Sequence, residues 1–242
     1  MDLITEQTEA TSWPAHAAAV GTHDTVMRVI RKHLPSLTNR RTCDLPCGAG
    51  LFSKRLHEEG AEVFAFDIED VRPYYGPSTS RALANANDFL PIANNTFDLM
   101  VSIEGIEHVE NGSQLLREMA RCTKDDGIMV ISTPNTDSFR SRIVTIWKGY
   151  PKYFNPMDME SKASGHLQPV DMVFMHGAAK KAGLEIIDIQ TVQQNRDRGV
   201  ALWLQELVRP WFTRSLPEKM RGKVPFYGDV IIYVLRKQPV NS

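Results

Sequence analysis

The 242-residue sequence is poor in cysteine, in net charge and in long apolar runs. Its three cysteines are too few for a disulfide framework, and Cys43 and Cys47 lack the second pair of ligands that a zinc site needs. The longest apolar run, 230–235, is far shorter than the ~20 residues of a membrane-spanning helix. The polar N-terminus also lacks the basic start and apolar core of a signal peptide. These absences predict a soluble, cytoplasmic protein.

The charges nearly cancel, with 28 Lys and Arg against 29 Asp and Glu. A nucleic-acid partner that depends on bulk positive charge is therefore not expected. The balance is an average, however. The segment 196–223 holds seven basic and three acidic residues, a local charge of +4, whereas glutamates cluster at 104–110. The hydrophobic fraction of 42% is sufficient for a globular core.

Apolar periodicity and turn residues divide the chain into alternating strands and helices. Strands are predicted at 41–45, 62–66, 80–86, 97–103, 127–132, 184–190 and 229–236. Helices are predicted at 14–34, 51–59, 113–122, 169–182 and 200–215, with a long loop or lid at 149–168. The alternation predicts an α/β fold with a doubly wound, mostly parallel sheet and helices on both faces.

The sharpest local motif is a glycine turn, CDLPCGAGLF, between the first strand and its helix. Gly48 and Gly50 permit a tight turn, and the N–H groups of the helix point at the same place. Asp67 ends the second strand, 23 residues after Asp44, where an acid can accept hydrogen bonds from ribose hydroxyls. Ser53 stands where a dinucleotide fingerprint has its third glycine, which disfavours NAD and a dehydrogenase. The turn alone is compatible with a steric role, but turn and acid together favour a nucleoside-containing ligand.

Four segments carry a family resemblance: DLPCGAGLFSKRL, VFAFDIE, NANDFLPIANNTFDLMVSIEGIEHVEN and KDDGIMVISTPN. They resemble the motifs of class I S-adenosylmethionine-dependent methyltransferases, in particular the ubiquinone-biosynthesis O-methyltransferase-like, or type 11, group. Pro46 and Ala49 replace a glycine and a threonine that the first motif usually carries. The resemblance implies a seven-stranded Rossmann-like sheet with an antiparallel last strand, a helical lid, and S-adenosylmethionine as the cofactor.

The resemblance also implies a domain plan. A flexible 1–13 precedes one methyltransferase domain over 14–242. Its cofactor half is 36–135, its lid and substrate elements are 136–228, and its closing strand is 229–236.

Individual residues of the cofactor half acquire implied roles. Asp44 and Gly48 would lie beside the methionine portion of the cofactor. Asp67 would bind both ribose hydroxyls, and Ile68 would pack on the adenine. Asn85 would face the adenine amino group, unless a neighbouring polar residue does so. The expected cofactor-binding residues are Asp44, Gly48, Gly50, Asp67, Ile68, Asn85, Ala86 and Ile103.

A Glu-x-x-Glu-His segment follows the fourth strand. Glu104 and Glu107 are three residues apart and His108 is four from Glu104, so a helical turn would bring all three to one face. Such a set can bind a divalent metal. Ubiquinone-biosynthesis O-methyltransferases and small-RNA 2′-O-methyltransferases share the pattern, and the latter imply His166 as a fourth ligand. We expect Glu104, Glu107, His108 and His166 to hold Mg²⁺ or another divalent cation, or else His108, His166 and Glu107 to act in metal-free base catalysis or structurally.

Two segments in the second half of the chain predict what the protein binds. Trp147, Tyr150, Tyr153 and Phe154 would wall an acceptor pocket or pack the lid. The segment 200–223 reads as a basic amphipathic helix that would contact a membrane surface peripherally, or dock on the domain or on a second copy in a homodimer.

The function expected from this resemblance is O-methylation of a small molecule, a sugar or other glycan acceptor, or a lipid-linked precursor. Three alternatives remain. They are a metal-dependent RNA 2′-O-methyltransferase-like enzyme, a nucleoside-ligand enzyme such as a dehydrogenase, and a non-catalytic nucleoside-binding module of the same fold.

Overall fold

The computed structural model describes residues 18–69, 80–157, 165–192 and 226–239, together with isolated positions between 203 and 214. The helices are α1 Thr22–His33, α2 Leu51–Glu58, α3 Gly112–Cys122, α4 Phe139–Lys148 and α5 Met172–Lys181, with a 3₁₀ turn at Ile106–His108. The strands are β1 Arg41–Asp44, β2 Glu62–Asp67, β3 Ser80–Leu83, β4 Phe97–Ile103, β5 Thr123–Pro134, β6 Leu184–Val192 and β7 Val230–Lys237.

The seven strands form one sheet in the order β3-β2-β1-β4-β5-β7-β6. Strands β1 to β5 pair in parallel, whereas β7 runs antiparallel to both of its neighbours. This confirms the predicted doubly wound, mostly parallel sheet with an antiparallel last strand. The strand order reverses between β1 and β4, and open α/β sheets bind ligands at such a switch point, beyond the carboxyl ends of the strands.

Both faces of the sheet are buried, and β7 shows the alternation most clearly. Ile231, Tyr233 and Leu235 belong to the core that α3 and α5 cover. The intervening residues, Val230, Ile232 and Val234, belong to the core under α1 and α2. A strand covered by helices on both faces is apolar at consecutive positions, which is why the run at 230–235 is the longest in the sequence.

Several elements differ from the predicted bounds. Helix α1 begins at Thr22 rather than at 14, because Gly21 adopts a left-handed conformation (φ 85°) immediately before it. Strand β3 ends at Leu83 rather than at 86, since the Asn85 side chain accepts a hydrogen bond from the Asn87 N–H and starts a turn. Strand β5 extends back to Thr123. Residues 1–17, including the predicted flexible N-terminus, lie outside the described residues.

Helix α4 was not predicted from the sequence. It begins where the Ser138 hydroxyl accepts a hydrogen bond from the Ser141 N–H at 3.2 Å, and it ends at Gly149 in a left-handed conformation. Both are ordinary capping signals. The helix occupies part of the expected lid, of which residues 158–164 lie outside the described residues.

Most of the predicted amphipathic helix at 200–223 also lies outside the described residues. Trp203, Leu207 and Trp211 are described and exposed. Peripheral membrane contact and a homodimer therefore stay predictions. Within the described ranges, no helix has the length and apolarity required to cross a bilayer.

Asp188 of β6 fastens α1 to the edge of the sheet. Its Oδ2 accepts hydrogen bonds from Lys32 Nζ at 2.7 Å and from His33 Nε2 at 2.9 Å. Burial alone would raise the pKa of Asp188, but the bonds from His33, Lys32 and Gln190 outweigh it and lower the pKa to about 2. The ionised form is therefore favoured in the folded state.

We predict that Asp188→Asn destabilises the domain by about 1–2 kcal/mol near pH 7, or roughly 3–6 °C in Tm. An unfolded aspartate has a pKa of about 3.9, so the stabilisation is complete above pH ~4 and is lost as the pH falls towards the folded pKa of about 2. Thermal unfolding of both proteins between pH 7 and pH 3 measures the effect.

The matched control is Asp125→Asn, because Asp125 pairs with Lys237 while its own side chain is 85% exposed. An exposed pair contributes little, so this variant should unfold within about 1 °C of the parent. Equal unfolding temperatures for Asp188→Asn and the parent at pH 7 would contradict the proposed role of Asp188.

Candidate active site

A cavity with about 630 Å³ of empty space, part of it open to solvent, lies beyond the carboxyl ends of β1, β2 and β4. The lining residues are Ala18, His23, Asp44, Pro46, Cys47, Gly48, Ala49, Leu51, Phe52, Asp67, Ile103 and Glu104. The cavity thus lies at the switch point of the sheet.

The glycine turn forms one wall of this cavity. Gly48 has a φ of 51° and Gly50 a φ of 81°, so both positions adopt a conformation that favours glycine. A Cβ at Gly48 would meet no protein atom within 4 Å, so the space beside it is open for a ligand. The Gly48 N–H donates to Asp67 Oδ2 at 2.7 Å, and the Cys47 N–H donates to the Phe66 carbonyl at 2.9 Å. The end of β2 therefore holds the turn in place.

Asp44 lies at the bottom of the turn and is 1% exposed. Burial raises the pKa of its carboxyl to about 7, against the hydrogen bond that the Ser53 hydroxyl donates to Asp44 Oδ2. The charge of Asp67 raises the pKa further. Ser53, which replaces the third glycine of a dinucleotide fingerprint, thus has a structural partner of its own. A buried carboxylate in an open cavity is suited to a positively charged ligand.

The structure brings together half of the predicted cofactor residues. Asp44, Gly48, Asp67 and Ile103 line the cavity. Gly50 precedes α2, between two lining residues.

Three further residues expected to bind the cofactor, two of them at its adenine, are not among the residues that line the cavity. Ile68 is 62% exposed beyond β2, and Ala86 is buried in the core of the α3 face. The Asn85 side chain bonds to Asp88 Oδ2 and to the Asn87 N–H. Their roles towards an adenine stay predictions.

A second polar cluster joins the loop after β4 to the segment that precedes α5. One ligand atom from each of Glu107, His108 and His166 lies within 4.8 Å of the others. His108 Nδ1 is 3.2 Å from the Gly165 carbonyl oxygen, and His166 Nδ1 is 2.8 Å from the Tyr153 carbonyl oxygen. A carbonyl only accepts, so Nδ1 carries the proton in each ring, and the Nε2 lone pair of a neutral ring remains available. Histidines that bind metals are commonly oriented by such a bond.

Glu107 completes the cluster. Its side chain is fully buried, and among the described residues no hydrogen bond of normal geometry reaches either carboxyl oxygen, although an interaction with the Thr133 side chain partly lowers the pKa of the carboxyl. Burial and the nearby charge of Glu104 raise its pKa well above the usual range. An orphaned buried carboxyl beside two oriented imidazoles fits a divalent cation, because the cation supplies the missing partner and charge.

Glu104, the fourth predicted metal ligand, is not brought into this cluster. Its backbone has a φ of 49°, and the 3₁₀ turn begins only at Ile106, so the expected helical face does not include it. Instead, Glu104 lines the cofactor cavity, and its Oε1 accepts a hydrogen bond from Ser132 Oγ at 3.2 Å. Burial raises the pKa of Glu104 to about 7, although the Ser132 bond lowers it.

The lid aromatics divide into two groups. Phe154 packs on His166 with ring centroids 5.2 Å apart, and Tyr153 supplies the carbonyl that orients His166. Trp147 is 84% exposed on α4. The first pair therefore belongs to the histidine cluster, while the acceptor-wall role of Trp147 and Tyr150 stays a prediction.

A family model described as a methyltransferase domain matches residues 21–189, more than half of the chain. The chain belongs to this methyltransferase family. The matched range includes the glycine turn, Asp67 and the histidine cluster. The family and the fold support S-adenosylmethionine as the cofactor of the cavity.

Individual relatives agree with this assignment. The ubiquinone biosynthesis O-methyltransferase of Rickettsia typhi is 27% identical over 124 residues, which cover 46% of this chain and 47% of that protein. The enzyme of the same name from Thiobacillus denitrificans is 23% identical over 167 residues, which cover 66% of this chain and 70% of that protein. The match thus spans about half the length of the Rickettsia relative.

A solved structure of a proposed methyltransferase from Bacillus halodurans shares the fold. It has a TM-score of 0.62 at 16% identity, and the match covers 90% of this chain and 99% of that chain. This likeness confirms the Rossmann-like methyltransferase architecture.

Sequence reasoning missed His23 as a cavity residue. His23 lies in the first turn of α1, its ring centroid 5.1 Å from that of Phe52. No motif marks it, since only the packing of α1 against the sheet brings it to the cavity. A basic residue at the start of a helix is, by itself, not a signal of cofactor binding.

We predict that Gly105→Ala weakens S-adenosylmethionine binding by tenfold or more. A Cβ at Gly105 would clash with the ring of Pro46, lying 2.7 Å from its Cγ, so the loop after β4 would be pushed away from the glycine turn. Pro46 and Glu104 both line the cavity, so its shape would change. Isothermal titration calorimetry measures the loss.

Gly177→Ala is the matched control. Gly177 lies within α5, and a Cβ there would meet nothing within 4 Å, so alanine should stabilise the helix by roughly 0.5–1 kcal/mol and leave binding unchanged. Unchanged affinity in Gly105→Ala would show that this close approach does not shape the site.

Proposed function

We propose that this chain transfers the methyl group of S-adenosylmethionine to a hydroxyl oxygen of a small molecule, a sugar or a lipid-linked precursor. The observation that carries the proposal is the cluster of Glu107, His108 and His166. Glu107 and His108 follow the cavity residue Glu104 by three and four positions on the loop after β4, and His166 comes from the segment before α5. Relatives named ubiquinone biosynthesis O-methyltransferase support oxygen as the acceptor atom.

Methyl transfer is an in-line displacement. The bond between the sulfonium sulfur and the methyl carbon breaks while the oxygen–carbon bond forms, and the sulfur keeps the electron pair as a thioether. Because the methyl donor is already activated, the protein contributes mainly proximity and orientation. The glycine turn and Asp67 would hold the donor, and the lid would close over the acceptor.

The hydroxyl proton must also leave. Burial, and then the charge of His166, lower the pKa of His108, against the effect of its bond to the Gly165 carbonyl. A neutral His108 with a free Nε2 is suited to accept a proton from the acceptor hydroxyl. This route needs no metal.

The same three residues would hold a divalent cation through two Nε2 atoms and a Glu107 oxygen. Such a cation, when bound, would lower the pKa of the acceptor hydroxyl. In that case His108 and His166 would bind the cation and would not take up the proton, and the proton of the acidified acceptor hydroxyl would pass to solvent water. Both routes place the acceptor oxygen at the cluster.

Cofactor binding is tested first. We predict that the protein binds S-adenosylmethionine and not NAD, and that the affinity rises from pH 6 to pH 8, up to tenfold per unit below the Asp44 pKa of about 7. The reason is that the ionised carboxylate attracts the ammonium and sulfonium charges of the ligand. Asp44→Asn should reduce the pH dependence to the part that Glu104 contributes, because burial also raises the pKa of that cavity carboxyl to about 7. Calorimetry at three pH values measures this.

Stability provides the control for Asp44→Asn. The folded pKa of Asp44 lies above the unfolded value of ~3.9, so its contribution to stability falls as the pH rises from about 4 to 7. The neutral asparagine avoids that loss and should not lower the Tm at pH 8.

Absence of S-adenosylmethionine binding to the parent would overturn the proposed function. So would a failure to transfer labelled methyl groups from S-adenosylmethionine to any member of a panel of phenolic, sugar and lipid hydroxyls.

Metal binding is tested separately, with Mn²⁺ as the probe. We predict that the parent binds Mn²⁺, that Glu107→Gln and His166→Ala each weaken this binding at least tenfold, and that both retain S-adenosylmethionine affinity. Electron paramagnetic resonance of free Mn²⁺ measures the metal affinities, and calorimetry measures the affinities for S-adenosylmethionine.

His57→Ala is the control, because His57 is an exposed residue of α2 that does not line the cavity. If the parent binds no Mn²⁺, and if methyl transfer is unaffected by chelation, the cation is excluded and the metal-free route remains. If Glu107→Gln loses the binding of both Mn²⁺ and S-adenosylmethionine, the role of Glu107 is structural.

A further inference from the structure

The turn that orients His166 contains a strained residue. The Tyr153 carbonyl accepts the hydrogen bond from His166 Nδ1 at 2.8 Å. Tyr153 is the third residue of a turn that the Phe154 N–H closes by donating to the Pro151 carbonyl at 3.1 Å. Its φ is 74°, in the left-handed region, where a turn of this kind normally has glycine. The turn therefore needs support from outside itself to keep its shape.

Lys152, the residue before Tyr153, connects the turn to two other elements. Its Nζ lies 2.8 Å from Asp229 Oδ1, and it also donates to the Tyr153 hydroxyl oxygen at 2.7 Å. The same Nζ is 4.3 Å from the centroid of the Tyr153 ring. The backbone N–H of Lys152 donates to Ser141 Oγ in α4 at 3.1 Å. Main chain and side chain of Lys152 thus both hold the turn.

Asp229 is a fixed anchor for this lysine. It directly precedes β7, and its backbone carbonyl accepts a hydrogen bond from the Asn135 N–H, just after β5, at 2.8 Å. Its side chain is 7% exposed and also pairs with Arg140 Nη1 at 3.9 Å. The ion pair with Lys152 therefore joins the middle of the sheet to the turn that orients His166.

This ion pair differs from an ordinary surface pair. The Lys152 side chain is 26% exposed, so the pair is screened by water less than two exposed charges are. Neither residue lines the cofactor cavity, and neither belongs to the histidine cluster. Their effect on the site must therefore pass through the turn.

We propose that Lys152, paired with Asp229, is a positioning residue for His166. It holds Tyr153 in the left-handed conformation, so that the Tyr153 carbonyl fixes the Nδ1–H tautomer of His166 and leaves Nε2 free. The value of this orientation for catalysis rests on the proposed function, whereas the orientation itself does not. The assigned residue lies outside every motif of the sequence.

Nitrogen-15 NMR of protein labelled in its histidine rings tests the orientation without cofactor, metal or acceptor. Protonated and unprotonated ring nitrogens have very different shifts, so the tautomer is read directly. At pH 8, above the ordinary histidine pKa of ~6.5, we expect a single Nδ1–H form for His166 in the parent. The signals that vanish in His166→Ala identify this residue. Lys152→Met keeps a long side chain without the charge, and we expect a mixture of both tautomers in it.

Two rescue variants separate positioning from packing. Lys152→Arg keeps a cation within reach of Asp229 and should retain the single tautomer. Adding Tyr153→Gly to Lys152→Met should restore it, because glycine adopts a positive φ without strain and keeps the carbonyl. A packing defect would not be repaired by removing a further side chain.

Lys237→Met is the matched control. Lys237 lies at the end of β7 opposite Asp229, its side chain is 21% exposed, and it pairs with Asp125 at 3.0 Å. Its replacement should leave the His166 tautomer unchanged. Thermal unfolding shows that each variant is folded.

A single Nδ1–H tautomer in Lys152→Met would overturn the assignment. A mixture in the parent would do so as well, and so would a mixture that persists in both rescue variants.

Methyl transfer is a separate measurement, made with the member of the acceptor panel that the parent methylates fastest. Lys152→Met should lower kcat about tenfold, since a displaced group loses its proximity to the acceptor, and calorimetry should show an S-adenosylmethionine affinity within about twofold of the parent. If the parent methylates nothing, the proposed function fails while the tautomer result still decides the assignment. If the tautomer is lost and kcat is unchanged, the positioning stands and the catalytic role of His166 is overturned.

Discussion

The hydrogen bond from the Gly48 N–H to Asp67 Oδ2 is the contact on which the site depends. It joins the turn after β1 to the end of β2, across the boundary of two neighbouring parallel strands. Without it, the left-handed glycines would be free to open the turn, and the acid expected to bind the ribose would lose its fixed position. The sheet topology makes the bond possible, since parallel strands bring their carboxyl ends to one edge.

The carboxyl ends of the parallel strands also bring several buried acidic side chains close together. Burial raises the pKa of Asp44 and of Glu104 to about 7, and it raises the pKa of Glu107 well above its usual range. Three such carboxyl groups destabilise the empty protein when they ionise, which is a common cost of a preformed site. A positively charged cofactor reverses this, because its charge favours the ionised forms. The relief of this electrostatic cost would contribute to the affinity for a positively charged methyl donor.

Sequence reasoning succeeded where local chemistry decides the structure. The segment 229–236 is predicted as a strand, and β7 confirms it. The structure adds that this strand is buried on both faces, because helices cover both sides of β7. Gly48 and Gly50 predicted the turn, since only a few residues satisfy a left-handed turn that approaches a ligand. The alternation of elements predicted the sheet for the same reason. The bond from the Gly48 N–H to Asp67 was not predicted, because Asp67 was expected only to bind the ribose.

Sequence reasoning failed where tertiary packing decides the position of a residue. Glycine is the expected residue for a φ of 49°, so nothing in the sequence showed that Glu104 would turn away from Glu107 and towards the cavity. His23 reaches the cavity only because α1 packs on the sheet at that height. The early start predicted for α1 ignored Gly21, whose left-handed conformation ends the continuity of the helix.

The separation of Glu104 from Glu107 connects the two polar sites. Glu104 lines the cofactor cavity, Glu107 belongs to the histidine cluster, and the charge of the first raises the pKa of the second. A positive charge bound on either side therefore favours ionisation on both sides, since it reduces the repulsion between the two carboxyl groups. Linkage requires this effect to be reciprocal. The cofactor cavity and the histidine cluster are thus coupled electrostatically through one buried pair of acids, without any need for the fold to move.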